Sequence, residues 1–215
     1  MASTSSSEAE AEDPDNRLLH RMTARRLEAE AIRDAILTVS GRLDGRMGGP
    51  GVEVYLTPFM DNYGDNYGRP RASGPLDGDA RRSLYLNVRR NFLTPFLVAF
   101  DMPPPLVTAG RRDVSNVPAQ ALILMNDPFV AQQARRWAAR VLAIEGLDAG
   151  RRVRRMYREA YARPPSEAEL GAALRFLKGH AVELGIPPDR WSEDERVWAD
   201  LAHVLINVKE FLFLN

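Results

Sequence analysis

Residues 115–144 read Ser-Asn-Val-Pro-Ala-Gln-Ala-Leu-Ile-Leu-Met-Asn-Asp-Pro-Phe-Val-Ala-Gln-Gln-Ala-Arg-Arg-Trp-Ala-Ala-Arg-Val-Leu-Ala-Ile. Two helix starts are written into this stretch. Ser115 or Asn116 supplies a side-chain cap and Pro118 falls in the first turn, where its missing N–H costs nothing. Asp127-Pro128 repeats the device, and the second helix then runs to about Ile144. Downstream the helical reading continues. A third helix is predicted over Ala149–Ala162, and a fourth opens on Ser166 with Glu169 three residues on, a capping box. A fifth spans Glu193 to about Val208, with Val197, Leu201, Val204, Leu205 and Val208 on one face.

Upstream, Asp15 or Asn16 can cap a helix beginning near Arg17. Leu27, Ala31, Ile32, Ala35, Ile36 and Val39 keep its spacing, and Gly41 stands at the left-handed C-terminal position. Residues 42–80 are loop-rich, with Val52–Leu56 as the strand candidate and a duplicated Asp-Asn-Tyr-Gly at 61–64 and 65–68. Arg82–Arg90 alternates as a strand would, Leu84, Leu86 and Val88 against Tyr85, Asn87 and Arg89. Pro95 and Pro103–Pro105 keep residues 91–114 from forming one long regular element. The expected fold is mainly α (α+β): a bundle-like helical core with a small, short-stranded β element inserted after the first helix. Residues 15–215 form one such domain, and residues 1–14, acidic and serine-rich, form a disordered tail.

The chain has 215 residues, 29 basic against 29 acidic and no cysteine. The balance, with a pI near 6.9, argues against a dedicated nucleic-acid binder. Tyr85 and Phe92 beside arginines are thin support for base stacking. The absence of cysteine excludes disulfides, thiolate metal sites and covalent haem attachment within these residues. No run approaches the roughly 18 apolar residues of a membrane span, and the N-terminus lacks the pattern of an export signal. All but Lys178 and Lys209 of the basic residues are arginine, whose planar fork suits carboxylates, sulfates and phosphates.

Recognised chemistries fail one by one. His20, His180 and His203 have no metal-ligand spacing and read as structural or surface histidines. Asp61–Asp65 hints at a calcium loop, but Asn66 stands at the sharp turn and Ala72 where a bidentate Glu belongs. Gly45, Gly48, Gly49 and Gly51 match neither a P-loop nor a dinucleotide fingerprint, and there is no Gly-x-Ser-x-Gly elbow. What stands out is residues 69–113, with eight arginines against four aspartates. Arg81, Arg82, Arg89, Arg90, Arg111, Arg112, Asp113, Asn116, Gln120 and Asn126 form the candidate network. Arginines beside a helix N-terminus can make an anion site. The structural reading has them pair with nearby aspartates and tie loops to the core, so that Arg111→Ala would lower the melting temperature. The enzymatic alternative uses Asp77, Asp79 or Asp101 as acid/base among the arginines, which needs two carboxylates at a fixed separation.

These same residues carry a family resemblance. Gly74-Pro-Leu-Asp-Gly-Asp79, Arg81–Tyr85, Val88–Phe92, Phe100-Asp101 and Arg111–Phe129 resemble domain-of-unknown-function family 1553. Arg25–Asp34, Ser40–Asp44, Ala162–Pro165 and Asn207–Leu214 fit the same pattern, in order, from about Asp13 to the end. The resemblance implies the C-terminal domain of large exported or periplasmic proteins of planctomycete and related bacteria, often beside a cytochrome c-like domain. Any c-type haem would then belong to family neighbours, with no cofactor in this chain. Against the family pattern the chain reads as N-terminally shortened, a fragment or a shortened paralogue, so a protein partner or missing upstream domains are expected. The resulting expectation is a non-catalytic structural or docking module of exported redox or polysaccharide-processing machinery. The alternative is a carboxylate-dependent hydrolase, or a binding domain for anionic polysaccharide, working through residues 77–113.

Overall fold

The computed structural model describes residues 6–61 and 72–214. In chain order its helices are α1 (Ser7–Glu12), α2 (Ala29–Val39), α3 (Pro58–Asp61), α4 (Pro95–Ala99), α5 (Pro118–Asn126), α6 (Pro128–Leu142), α7 (Ala149–Tyr161), α8 (Glu167–Glu183), α9 (Glu195–Asn207) and α10 (Lys209–Leu212). A two-residue strand β1 (Arg25–Arg26) pairs antiparallel with β2 (Phe213–Leu214). The fold is mainly α with a small β element.

That β element does not sit where alternation placed it. The ribbon joins the segment before α2 to the C-terminal segment, and Leu27 N–H extends it by donating to the Leu212 carbonyl at 2.8 Å. Residues 82–90 instead form a 3-10 turn over Ser83–Tyr85 and one isolated bridge, Leu86 to Val52. The reason is capture by α2. The Asp34 carboxylate accepts both the Ser83 N–H (2.8 Å) and its hydroxyl (2.7 Å), bending the chain and leaving Leu84 and Val88 exposed. Val52–Leu56 contributes Val52 alone to pairing.

The first long helix is also shorter than its periodicity suggests, starting at Ala29 rather than near Arg17. Asp13 takes the N–H groups of Arg17 and Leu18, Asn16 and Leu19 adopt left-handed φ, and the chain then extends into β1. Gly41, at φ 74°, follows the helix end as predicted. The acidic segment, expected to be disordered, forms α1 with Ser6 capping Ala9 N–H.

Helices α6 and α9 run against each other at the centre, burying Trp137 and Trp198. Helices α2, α4 and α5 cover one flank with Ile32, Ile36, Phe96, Phe100 and Leu124, and α7 and α8 the other with Val153, Met156 and Leu177. Helix α9 buries Val197, Trp198, Leu201, Ala202, Leu205 and Ile206, whereas Val204 and Val208 stay exposed. The Ser166/Glu169 capping box is formed. Helix α5 lacks a side-chain cap: neither Ser115 nor Asn116 stands at its N-cap, which is Val117, and Ser115 bonds Asp101 instead. The calcium-like loop and the duplicated tetrapeptide lie, past Asp61, outside the described residues, as do Arg69 and Arg71.

Candidate functional site

The arginine-rich segment is organised around a tight turn at Asp77–Ala80. Gly78 (φ 59°), Asp79 (52°) and Ala80 (60°) are consecutive left-handed residues, a conformation costing a non-glycine residue about 1–2 kcal/mol. Buried arginine contacts hold it. Arg33, on the inner face of α2, donates to the carbonyls of Asp77 (2.7 Å) and Arg81 (3.0 Å) and to Ser83 Oγ (3.1 Å). Burial brings its pKa down to about 10, with Asp34 and Asp77 opposing, so it stays charged at neutral pH. The Asp77 carboxylate, itself buried, accepts from Arg42 Nη2 and Arg136 Nη1, both at 3.0 Å. Two glycines are sterically required. A Cβ on Gly78 would meet Arg33 Nη2 at 2.5 Å, and one on Gly74 would run into the Glu53 carbonyl. Arg81 donates to the Gly48 carbonyl (2.6 Å) with its guanidinium 4.1 Å from the Tyr85 ring centre, while Gly48 N–H donates to the Tyr85 hydroxyl.

A second centre lies at the Phe100–Asp101 corner. Arg26, its side chain 4% exposed, donates to Asp101 Oδ2 at 2.6 Å and to the carbonyls of Phe100 and Ser115. Asp101, left-handed at φ 63°, also accepts from the Ser115 N–H and hydroxyl. Partial burial pushes the Asp101 carboxyl up, but the Ser115 and Arg26 contacts outweigh it and hold the group below its ordinary value. Gln120, buried in α5, donates to the Ala99 and Ser115 carbonyls. Arg112 grips Glu30 with two bonds of 2.7 and 3.0 Å, and Arg89 grips Glu53 with bonds of 2.6 and 3.1 Å. Arg82 is loosely held, 3.9 Å from Asp34.

The structure therefore divides the sequence candidates. Arg81, Arg89, Arg112, Gln120 and the carboxylates of Asp77 and Asp101 are engaged in tertiary contacts. Arg90, Arg111, Asp113, Asn116 and Asp79 are exposed and show no hydrogen bond or ion pair among the described residues, and Asn126 bonds only the Leu122 carbonyl of its own helix. Arg111 takes no part in tying loops to the core, so the expected loss of stability in Arg111→Ala has no contact behind it. Tyr85 lies under Arg81 and Phe92 is 2% exposed, so neither offers a face to a base. The sequence reading missed Arg26, Glu30, Arg33, Asp34, Arg42, Glu53 and Arg136 as partners. Arg33 carries a usable signal: it falls among Ala29, Ile32 and Ile36 on the apolar stripe of α2, where a charge must find a buried partner.

Among the described residues, no group of three His, Asp or Glu side chains is placed to hold a metal ion. Each histidine is hydrogen-bonded: His203 Nε2 to the Leu124 carbonyl (2.8 Å), His20 Nε2 to the Asp13 carbonyl (3.0 Å), and His180 between Glu183 and Asp200. A further tie closes the C-terminus, where Arg163 bridges Glu169 and Glu210. The Arg163 hydrogen bonds lead in taking the Glu169 pKa down to about 2.

Two clefts border the network. One, of about 490 Å³, lies between α2 and residues 82–97. The other, of about 540 Å³, lies between β1 and residues 111–116. Glu28 and Arg112 belong to both.

No helix among the described residues is long and apolar enough to cross a membrane. No curated protein and no solved structure matches the chain. The family model described as "Protein of unknown function (DUF1553)" matches residues 1–177, a span that includes the Asp77 turn, the Asp101 corner and both clefts apart from Phe213. The chain belongs to the DUF1553 family.

Proposed function

We propose that this domain is a non-catalytic structural or docking module, serving exported redox or polysaccharide-processing machinery and bringing no cofactor of its own. The observation that carries the reading is the fate of the two best-placed carboxylates. An acid/base pair needs oxygens free to meet a substrate. Asp77 is buried under Arg42 and Arg136, and Asp101 is shared between Arg26 and Ser115. Asp79 is exposed, but on a strained turn whose neighbouring carboxylate is spent. A partner, or further domains of the same polypeptide, would find an unpartnered apolar face on α5, where Leu122 and Met125 are 58% and 60% exposed.

The test is a panel of sulfated and uronic polysaccharides assayed for product release. The proposal predicts no turnover by the wild-type chain. Product release that disappears in Asp79→Asn, while that variant melts with the wild type, would overturn it in favour of a hydrolase.

A further inference from the structure

The outer face of α7 is made of arginine. Arg151, Arg154, Arg155 and Arg158 stand at i, i+3, i+4 and i+7, on one side of the helix, while Val153 and Met156 are buried on the other. Arg158 is exposed, and its side chain makes no hydrogen bond or ion pair among the described residues. Arg151, 68% exposed, reaches Asp148 only at 3.7 Å, and Arg154 and Arg155 bond Glu167 and Glu159 at 3.1 and 2.8 Å. Residues 148–169 hold six arginines against four acids, an excess of two with every local partner counted. The two partners from outside this segment cancel, Arg140 on Glu159 and Glu210 on Arg163.

The same chain carries the complement. Helix α1 has six residues and buries none of them, and a helix this short is not stable in water on its own. Glu8 and Glu12 project from one side of it, four residues and about 5–6 Å apart, the spacing of Arg151 with Arg155 and of Arg154 with Arg158. Their side chains are exposed and make no hydrogen bond or ion pair among the described residues, whereas Glu10 is held by Arg21. Two unpaired carboxylates thus match an excess of two positive charges. From this match we infer that two copies of the chain associate, α1 of each lying along the arginine face of the other's α7. The inference goes beyond the docking reading, since it uses neither α5 nor the clefts. Such an exchange closes as a twofold dimer with the same contact made twice. A formal net charge of zero leaves no overall repulsion between the copies. Exposed ion pairs are individually weak and screened by salt, so the dimer is weak and salt-dependent.

The experiment is analytical ultracentrifugation of the chain over a concentration series, at about 0.1 M and about 1 M salt. Three variants accompany the wild type: Glu8→Arg with Glu12→Arg, Arg151→Glu with Arg158→Glu, and all four substitutions together. The wild type should show a monomer–dimer equilibrium at the lower salt, with a Kd that rises at least about tenfold at the higher. Each two-site variant should raise the Kd at least about tenfold at the lower salt. The four-site variant restores complementarity with the signs exchanged and should regain the dimer, which separates lost charge matching from misfolding. A wild type that stays monomeric at the lower salt, a dimer indifferent to salt, or a four-site variant no better than the two-site ones would each overturn the proposal. A monomer would leave the arginine face to an acidic partner of another sequence.

Discussion

Replacing Asp77 by alanine removes one carboxylate oxygen that accepts three hydrogen bonds, from Arg42 Nε and Nη2 and from Arg136 Nη1. Breaking a buried ion pair costs about 3–5 kcal/mol because a charge is left uncompensated. Here Asp77 is 8% exposed, but its partners are 44% and 37% exposed and recover water when released. The loss should therefore fall at the low end, about 3 kcal/mol. In a chain of this size that lowers the melting temperature by about 6–12 °C. Asp79, two residues on, supplies the contrast within the same turn. It is exposed and left-handed at φ 52°, so Asp79→Ala should stay within about 0.5 kcal/mol of wild type. Asp79→Gly should gain about 0.5–1 kcal/mol by relieving the backbone. Thermal melts followed by circular dichroism, checked by urea titration, read all three. An Asp77→Ala melt within about 1–2 °C of wild type, or Asp79→Ala falling as far as Asp77→Ala, would show that the Asp77 carboxylate does not hold the turn.

The same geometry sets two further outcomes. Gly78→Ala combines a left-handed φ with a Cβ 2.5 Å from Arg33 Nη2 and 2.6 Å from Leu86 Cδ2; it should destabilise by at least about 2 kcal/mol, measured by urea denaturation. His180 has its pKa raised by its hydrogen bonds to Glu183 and then Asp200. A raised folded-state value means this tie between α8 and α9 contributes fully below the unfolded pKa of about 6.5 and is lost as pH rises through the folded value. Urea midpoints between pH 5.5 and 8.5 should show that decline, and His180→Gln should flatten it.

What could be read from the sequence was what local chemistry decides. The Ser166/Glu169 capping box, the Asp127-Pro128 restart and the Gly41 terminus each need only neighbours within a few residues, and each forms. The ribbon could not be read, because Arg25 pairs with Leu214 across almost the whole chain and two-residue strands leave no period. Alternation over 82–90 misled because hydrogen bonds from Ser83 to Asp34, 49 residues away, outweighed the preference of Leu84 and Val88 for a sheet. The site obeys the same rule. An arginine–aspartate cluster was visible in composition, and Asp77, Asp101, Arg81, Arg89, Arg112 and Gln120 are all engaged. Their partners Arg26, Glu30, Arg33, Glu53 and Arg136 come from other elements, so spacing alone could not name them. Nor could it separate Arg111, which no described residue holds, from Arg112, which grips Glu30.

The carboxylates of this segment are proposed to hold the fold together. A double-mutant cycle on Arg26→Met and Asp101→Ala, with stabilities from urea denaturation, measures that role. The side chain of Arg26 is 4% exposed, and its 2.6 Å bond to Asp101 ties β1 to the corner before α5. Each single variant should be destabilised by about 3 kcal/mol, and the double variant should lose at least about 1.5 kcal/mol less than their sum. Additivity within about 0.5 kcal/mol would show that the two side chains act independently and that this pair does not hold β1 to the corner.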